Sequence, residues 1–123
     1  GNEDMHLKNW SLITRDDKVE LAPGYDLLNS TIPNPESREE LALPLHGKKS
    51  NLKANDFWEY FASERLALLP ALVAQTKERF GTASAGWPAS IEASFLSAEM
   101  KERYLTLLEE RRARLGLAAP AGV

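Results

Sequence analysis

Residues 1–26 read GNEDMHLKNWSLITRDDKVELAPGYD, and the alternation of polar and apolar stretches in them predicts the local fold. The apolar side chains of Trp10–Ile13 and Val19–Leu21 are typical of two short strands, and the polar residues between them favour a turn. A Pro-Gly pair then ends the second strand. The sequence therefore predicts a β-hairpin with Asn9 at its entry and Asp26 just past its exit.

The polar residues around this hairpin have a spacing that is typical of phosphoryl transfer. Antiparallel strands of similar length return the chain to its starting point, so Asn9 and Asp26 are expected to meet, and we expect the Asp4 side chain to cluster with them. An Asp, an Asn five residues later, a hairpin and a second Asp is the order used by protein-kinase-like folds. We therefore predict Asp4 as the catalytic residue and Asn9 and Asp26 as Mg²⁺ ligands, because hard oxygen ligands suit this cation. His6 and Lys8 are predicted to line the site or contact phosphate.

The composition of the chain excludes several classes of protein. With 123 residues and 43% hydrophobic residues, it has the size and composition of a single globular domain or part of one. The net charge of −3 and pI of about 5.4 give no field that favours nucleic acid or anionic lipid, so neither is an expected partner. The absence of cysteine excludes disulfides and thiolate metal sites, and we expect a cytoplasmic protein. No apolar run approaches the roughly 18 residues that a membrane span needs.

The middle of the chain is predicted to be irregular. Residues 29–40 are polar and contain two prolines, which favours a surface loop. Residues 41–52 are predicted to form a second short hairpin around the tight turn at Gly47, with Pro44 favouring an edge position.

The remainder is predicted to be helical, so the fold class is mainly α with short β-hairpins. One helix starts at Asn55 or Asp56, with aromatic residues on one face and Glu59 as a capping-box partner. A second begins or breaks near Pro70 and either continues with a kink or gives way to a short helix over 89–93. The last runs from Ser97 to Gly116. The predicted parts are residues 1–28 (catalytic and metal loop with hairpin), 29–54 (loop and second hairpin) and 55–117 (helical subdomain).

Four stretches of the chain resemble one known family. They are G-N-E-D-M-H-L-K-N-W-S-L, L-A-P-G-Y-D-L-L, L-A-L-P-L-H-G-K-K-S-N-L and F-L-S-A-E-M-K-E-R-Y. Together they resemble the C-terminal domain of HipA-like toxin kinases, which are serine/threonine kinases of bacterial toxin–antitoxin systems. The resemblance implies that residues 1–123 are part of the helical C-lobe of a protein-kinase-like fold. It also implies that Asp4 matches the catalytic aspartate, Asn9 and Asp26 the metal-binding residues, and His6 and Lys8 two further motif positions.

The resemblance further implies cofactors and partners. Full-length members use ATP and Mg²⁺, pair with a helix-turn-helix antitoxin, and phosphorylate proteins that include aminoacyl-tRNA synthetases. Their phosphate loop, ATP-anchoring lysine and hinge precede the segment that resembles this chain. We therefore expect the isolated chain to lack kinase activity and to have only weak affinity for Mg²⁺ without nucleotide, and ATP-dependent protein phosphorylation by it would contradict the first of these expectations. Apolar surface that faces the preceding lobe in the family is expected to favour a homodimer.

Three alternatives remain open on the sequence. Small-molecule kinases of the aminoglycoside and choline type use the same Asp-Asn-hairpin-Asp order. A metallophosphoesterase could begin with Asp4 and His6, but such a two-metal site needs further ligands and His46 is the only other histidine. A non-catalytic helical interaction module is the third.

Overall fold

The computed structural model describes residues 1–117, which fall into two compact units. The first unit is Gly1–Leu52 and the second begins at Lys53. Within the described residues the structure is rich in helix and has one two-stranded antiparallel sheet. This confirms the predicted class of mainly α structure with short β elements. None of the helices described is long and apolar enough to cross a bilayer.

The predicted first hairpin is present. Strand β1 (Leu12–Arg15) pairs antiparallel with β2 (Lys18–Leu21), and a two-residue turn joins them. Asp16 and Asp17 form that turn with φ of 48° and 59°, the left-handed values that match the twist of paired strands. Because the turn takes only these two residues, pairing extends closer to it than the sequence predicts.

One face of the hairpin is apolar and exposed. Leu12 lies opposite Leu21 and Thr14 opposite Val19, so these four side chains share a face. The exposed fractions of Leu12, Val19 and Leu21 are 71%, 67% and 58%. The hairpin is therefore not held by burial of this face within its unit.

The rest of the first unit is irregular but contains its core. Residues 41–52 form a single antiparallel bridge, between Leu45 and Lys48, in place of the predicted second hairpin. Pro44 has no N–H to extend a ladder, and Gly47 takes a φ of 70° in the tight turn that the bridge closes. The buried apolar side chains of this unit are Ile32, Ala42 and Leu52.

The second unit begins with a π-helix over Asp56–Arg65, where the sequence predicts an α-helix. Its N-cap residue, Asn55, makes no side-chain cap bond, and Asp56 instead accepts a hydrogen bond from the backbone N–H of Lys53 at 2.8 Å. The i→i+5 bonds of a π-helix change which residues share a face. The buried apolar residue is Ala62, whereas a 3.6-residue period predicts an aromatic face.

Three α-helices follow: α1 (Pro70–Ala85), α2 (Trp87–Glu92) and α3 (Ala98–Leu115). Proline stands in the first turn of both α1 and α2, where its missing N–H has no helical partner in any case. Helix α2 is separate from α1, so the second of the two sequence alternatives holds.

Both ends of α3 are formed as the sequence predicts. The Ser97 side chain accepts a hydrogen bond from the Met100 N–H at 3.3 Å, and Gly116 ends the helix with a left-handed φ of 64°. The indole N–H of Trp58 donates to the Leu115 carbonyl at 2.9 Å, which satisfies one of the free carbonyls at this end.

The cap of α3 is testable by mutation. Ser97→Ala removes the acceptor for the Met100 N–H, so we expect the free energy of unfolding to fall by about 1 kcal/mol. Chemical denaturation followed by circular dichroism measures this. Ser90→Ala, at an exposed site inside α2, is the matched control and should change stability by less than about 0.5 kcal/mol. Equal effects of the two substitutions would contradict the capping role.

Candidate active site

Asn9 lies at the end of a short 3₁₀ turn in the first unit. Leu7–Asn9 forms this turn, in which the Asn9 N–H donates to the His6 carbonyl at 3.0 Å and the Trp10 N–H donates to Leu7 at 3.2 Å. The turn ends just before β1, and Asn9 is 8% exposed. The polar stretch that the sequence predicts as a loop therefore holds a buried asparagine at the hairpin entry.

Asp26 meets Asn9 across the hairpin. The Asn9 side-chain Nδ2 donates a hydrogen bond to the Asp26 carboxylate, 17 residues later in the chain. Asp26 has a left-handed φ of 55°, which aspartate tolerates better than most residues other than glycine. The structure thus brings together the two side chains that the hairpin argument predicts to meet.

The oxygen of the Asn9 amide is left without a partner. Oδ1 of Asn9 is buried and has no hydrogen bond within residues 1–117. An unpaired buried acceptor costs about 1–3 kcal/mol, so such atoms are few in folded proteins. A neutral amide oxygen beside a carboxylate is a donor set that fits Mg²⁺, which prefers a few hard oxygen ligands and retains water.

Asp4 lies at the surface and is linked to this pair indirectly. Its carboxylate is 3.8 Å from Nε2 of His6, and the Asp4 and His6 side chains are 67% and 48% exposed. Among the described residues, no hydrogen bond or ion pair joins the Asp4 carboxylate to Asn9 or Asp26. The side chain of Asn2 connects Asp4 to Asp26. It accepts a hydrogen bond from the Asp4 N–H and donates one to the Asp26 carbonyl, each at 3.1 Å.

His6 and Lys8 line a depression on the same unit. Its volume is about 430 Å³, it is open to solvent, and its lining consists of His6, Leu7, Lys8 and Leu43. Lys8 is exposed, and its carbonyl accepts a hydrogen bond from the Tyr25 hydroxyl at 3.4 Å. The two basic residues are therefore accessible to a ligand in this depression, and His6 also lies next to Asp4.

Glu3 anchors the segment that carries Asp4, a role that the sequence does not indicate. Its carboxylate accepts hydrogen bonds from Ser37 and, at 2.8 Å, from Asn34, and its N–H donates to the Ser30 hydroxyl at 2.9 Å. The hydrogen bond from Ser37, followed by that from Asn34, lowers the pKa of the Glu3 carboxyl below its ordinary value.

The backbone beside Glu3 is held equally closely. The Gly1 carbonyl accepts from the Ser30 N–H at 3.1 Å, and the Asn2 N–H donates to the Glu40 carbonyl at 3.0 Å. A Cβ atom at Gly1 would lie 2.8 Å from Oγ1 of Thr31, so only glycine fits at this approach. The segment predicted as a surface loop, 29–40, is thus the support on which residues 1–3 rest.

A two-metal phosphoesterase site receives no support from the arrangement. Such a site needs several histidine and carboxylate ligands in one cluster. Over residues 1–117, no group of three or more His, Cys, Asp or Glu side chains could hold a metal ion. A site that uses an asparagine oxygen with one carboxylate remains the better description.

Comparison with known proteins places these residues in a family. The model of the HipA-like C-terminal domain matches residues 1–87. The chain belongs to this family. The match includes Asp4, Asn9 and Asp26 and stops before α3, so the resemblance of residues 95–104 stays a prediction.

Two relatives from Sinorhizobium fredii carry kinase names. The chain is 44% identical over 87 residues to a protein named "Putative kinase Y4dM", across 65% of this chain and 20% of that protein. It is 39% identical over 72 residues to "Putative kinase Y4mE", across 57% of this chain and 17% of that protein. The matched part is thus about a fifth of the length of these relatives.

The bond between Asn9 and Asp26 can be measured by a double-mutant cycle. Asn9→Ala and Asp26→Gly each remove one partner, and glycine tolerates the left-handed φ at position 26. We expect the two losses of unfolding free energy to be non-additive by about 1–2 kcal/mol, because a hydrogen bond to a charged group is lost only once. The cycle of Asn9→Ala with Asp16→Gly, also at a left-handed aspartate, is the control and should be additive. Additivity in both cycles would contradict the bond.

The lowered pKa of Glu3 predicts a pH dependence with a definite sign. The ionised Glu3 carboxylate stabilises the fold above its ordinary pKa of 4.5, and this stabilisation is lost as pH falls through the lowered pKa. We expect the protection factors of the Asn2 and Glu3 amide protons, which correct the exchange rates for their intrinsic pH dependence, to fall as the sample is acidified below about pH 4. Glu3→Gln should show low protection of these amides already at neutral pH. Glu36→Gln, in the loop 29–40 on which Glu3 rests, should retain the wild-type profile.

Proposed function

We propose that this chain supplies the metal-binding and acceptor-side residues of a HipA-like kinase that transfers phosphate from ATP to a serine or threonine of a protein. The observation that carries the proposal is the contact between Asn9 and Asp26 with the buried, unpartnered Oδ1 of Asn9 beside it. This contact lies inside the stretch that matches the family, and the relatives in that stretch are named as kinases.

Each residue has a role that its position supports. Asn9 Oδ1 and the Asp26 carboxylate would hold Mg²⁺, which when bound neutralises phosphate charge. The exposed carboxylate of Asp4 is accessible to the hydroxyl of a second protein, which it would orient or deprotonate. Lys8 and His6 would offset negative charge on the phosphate from the side of the open depression.

A protein acceptor fits the surface better than a small alcohol. Small ligands are usually held in enclosed pockets that bury most of their surface. The depression that His6 and Lys8 line is open to solvent, and Asp4 is itself exposed. On these features of the chain we propose a protein acceptor, and transfer to a small alcohol is the alternative.

The wider setting of the proposal follows from family membership. We propose that the residues form part of the helical C-lobe of a protein-kinase-like fold, and that the whole protein acts in the cytoplasm as the toxin of a toxin–antitoxin pair. A helix-turn-helix antitoxin is its proposed partner, and a protein such as an aminoacyl-tRNA synthetase its proposed substrate.

A phosphotransfer assay on the full-length protein that contains these residues tests the proposal. Labelled ATP with Mg²⁺ is offered together with either bacterial proteins or a panel of small alcohols. We expect protein phosphorylation on serine or threonine, and a fall in kcat of at least about 100-fold in Asp4→Asn, Asn9→Ala and Asp26→Asn, because charge and positioning carry this reaction.

The matched control is Asp16→Asn, an exposed aspartate at the left-handed position of the hairpin turn. Its activity should equal that of the wild type. Transfer to small alcohols alone would favour the small-molecule kinase. Wild-type activity in all three site variants as well as in Asp16→Asn would contradict the assignment of the site.

A further inference from the structure

Both polar atoms of the Asn2 side-chain amide form hydrogen bonds within the site. Its Oδ1 accepts a hydrogen bond from the Asp4 N–H at 3.1 Å, and its Nδ2 donates to the Asp26 carbonyl at 3.1 Å. Asp4 and Asp26 are 22 positions apart and lie on opposite sides of the hairpin in sequence. Within the described residues, the side chain of Asn2 is the one that forms hydrogen bonds with both Asp4 and Asp26.

The backbone of Asn2 is held by hydrogen bonds that do not involve its side chain. Its N–H donates to the Glu40 carbonyl at 3.0 Å, and it forms an isolated parallel bridge with Leu41. Its neighbours Gly1 and Glu3 are both bonded to Ser30. A side chain on a backbone held at several points loses little further freedom when it bonds, so its hydrogen bonds position their partners more effectively.

Asp26 is the partner that needs such support. Its φ of 55° is costly for a residue with a side chain and persists only where surrounding contacts hold it. Asn2 bonds its backbone carbonyl, whereas Asn9 bonds its carboxylate. Two asparagines thus hold the main chain and the side chain of the same residue.

We propose that Asn2 is a positioning residue, which holds Asp26 in its left-handed conformation and fixes Asp4 relative to it. This inference rests on the proposed function, because it assigns Asn2 to the site that Asn9 and Asp26 would form around the cation. Outer residues that orient metal ligands commonly change metal affinity by about 10–100-fold when they are replaced.

A local role for Asn2 makes a different prediction. The bond from Oδ1 of Asn2 to the N–H two residues later is an Asx-turn, a common motif that needs no second segment. Serine can accept from the same N–H, but its side chain is too short to reach the Asp26 carbonyl as well. Asn2→Ser therefore retains the turn and removes the link between segments.

The chain offers a matched control for this substitution. Asn29 accepts from the N–H of Ile32 at 3.1 Å, a local bond within the same unit. Asn29→Ser removes an asparagine from a loop turn without removing a link to the site. The two variants thus separate the effect of an asparagine-to-serine replacement in a turn from the loss of the link to Asp26.

The experiment uses Mn²⁺ as a paramagnetic probe on the ¹⁵N-labelled chain of 123 residues. Mn²⁺ broadens amide signals near its binding site even when binding is weak, so it reports affinity without nucleotide or activity. We expect broadening at Asn9 and Asp26 in the wild type and a loss of affinity of at least about tenfold in Asn2→Ser. Asn29→Ser should match the wild type. The three-bond amide coupling of Asp26, which reports φ, should change in Asn2→Ser only.

Each outcome decides a separate question. Wild-type affinity and coupling in Asn2→Ser, with wild-type thermal stability, overturn the positioning role and leave the proposed function intact. Broadening in the wild type that centres on the turn residues Asp16 and Asp17 is adventitious surface binding and overturns both. If Asn2→Ser unfolds, Asn2→Thr replaces it, since threonine also keeps the local turn; an unchanged affinity in that variant overturns the positioning role.

Discussion

The hydrogen bond between Asn9 and Asp26 depends on one constraint, which is that the chain must return on itself between them. The β1–β2 pairing and the bond from the Ala22 N–H to the Ser11 carbonyl enforce that return. Any shift of register by one residue would turn each side chain to the opposite face and move the strand ends apart. A tight turn of two left-handed aspartates limits such slippage, because it leaves no spare residues.

Asp4 is held in place by different interactions from those that hold Asn9 and Asp26. No strand carries it, and its segment rests on residues 29–41 through hydrogen bonds of Gly1, Asn2 and Glu3. Such bonds lie near solvent, where water competes for the same donors and acceptors, so each contributes little net free energy. The proposed catalytic acid thus depends on hydrogen bonds to one loop, whereas the proposed metal ligands depend on the pairing of two strands.

The sequence predicts the elements that follow from local rules and misses those that arise from contacts between distant polar groups. The hairpin, the Ser97 cap and the meeting of Asn9 with Asp26 follow from strand pattern, capping chemistry and antiparallel return. The anchor of Glu3 on Ser37 joins residues 34 positions apart and has no periodic signal. The π-helix at Asp56–Arg65 is likewise invisible, because the same residues favour an α-helix locally and only tertiary context selects the wider turn.

The hairpin and the contact between Asn9 and Asp26 stabilise each other. A two-stranded hairpin is marginal in water unless its apolar face is covered, and Leu12, Val19 and Leu21 are exposed. The Asn9–Asp26 bond closes the open end of this hairpin, so a ligand that binds both side chains also stabilises the strands. Mass action makes that gain grow with ligand concentration. Occupation of the proposed metal site and order in the hairpin are therefore coupled, and each favours the other.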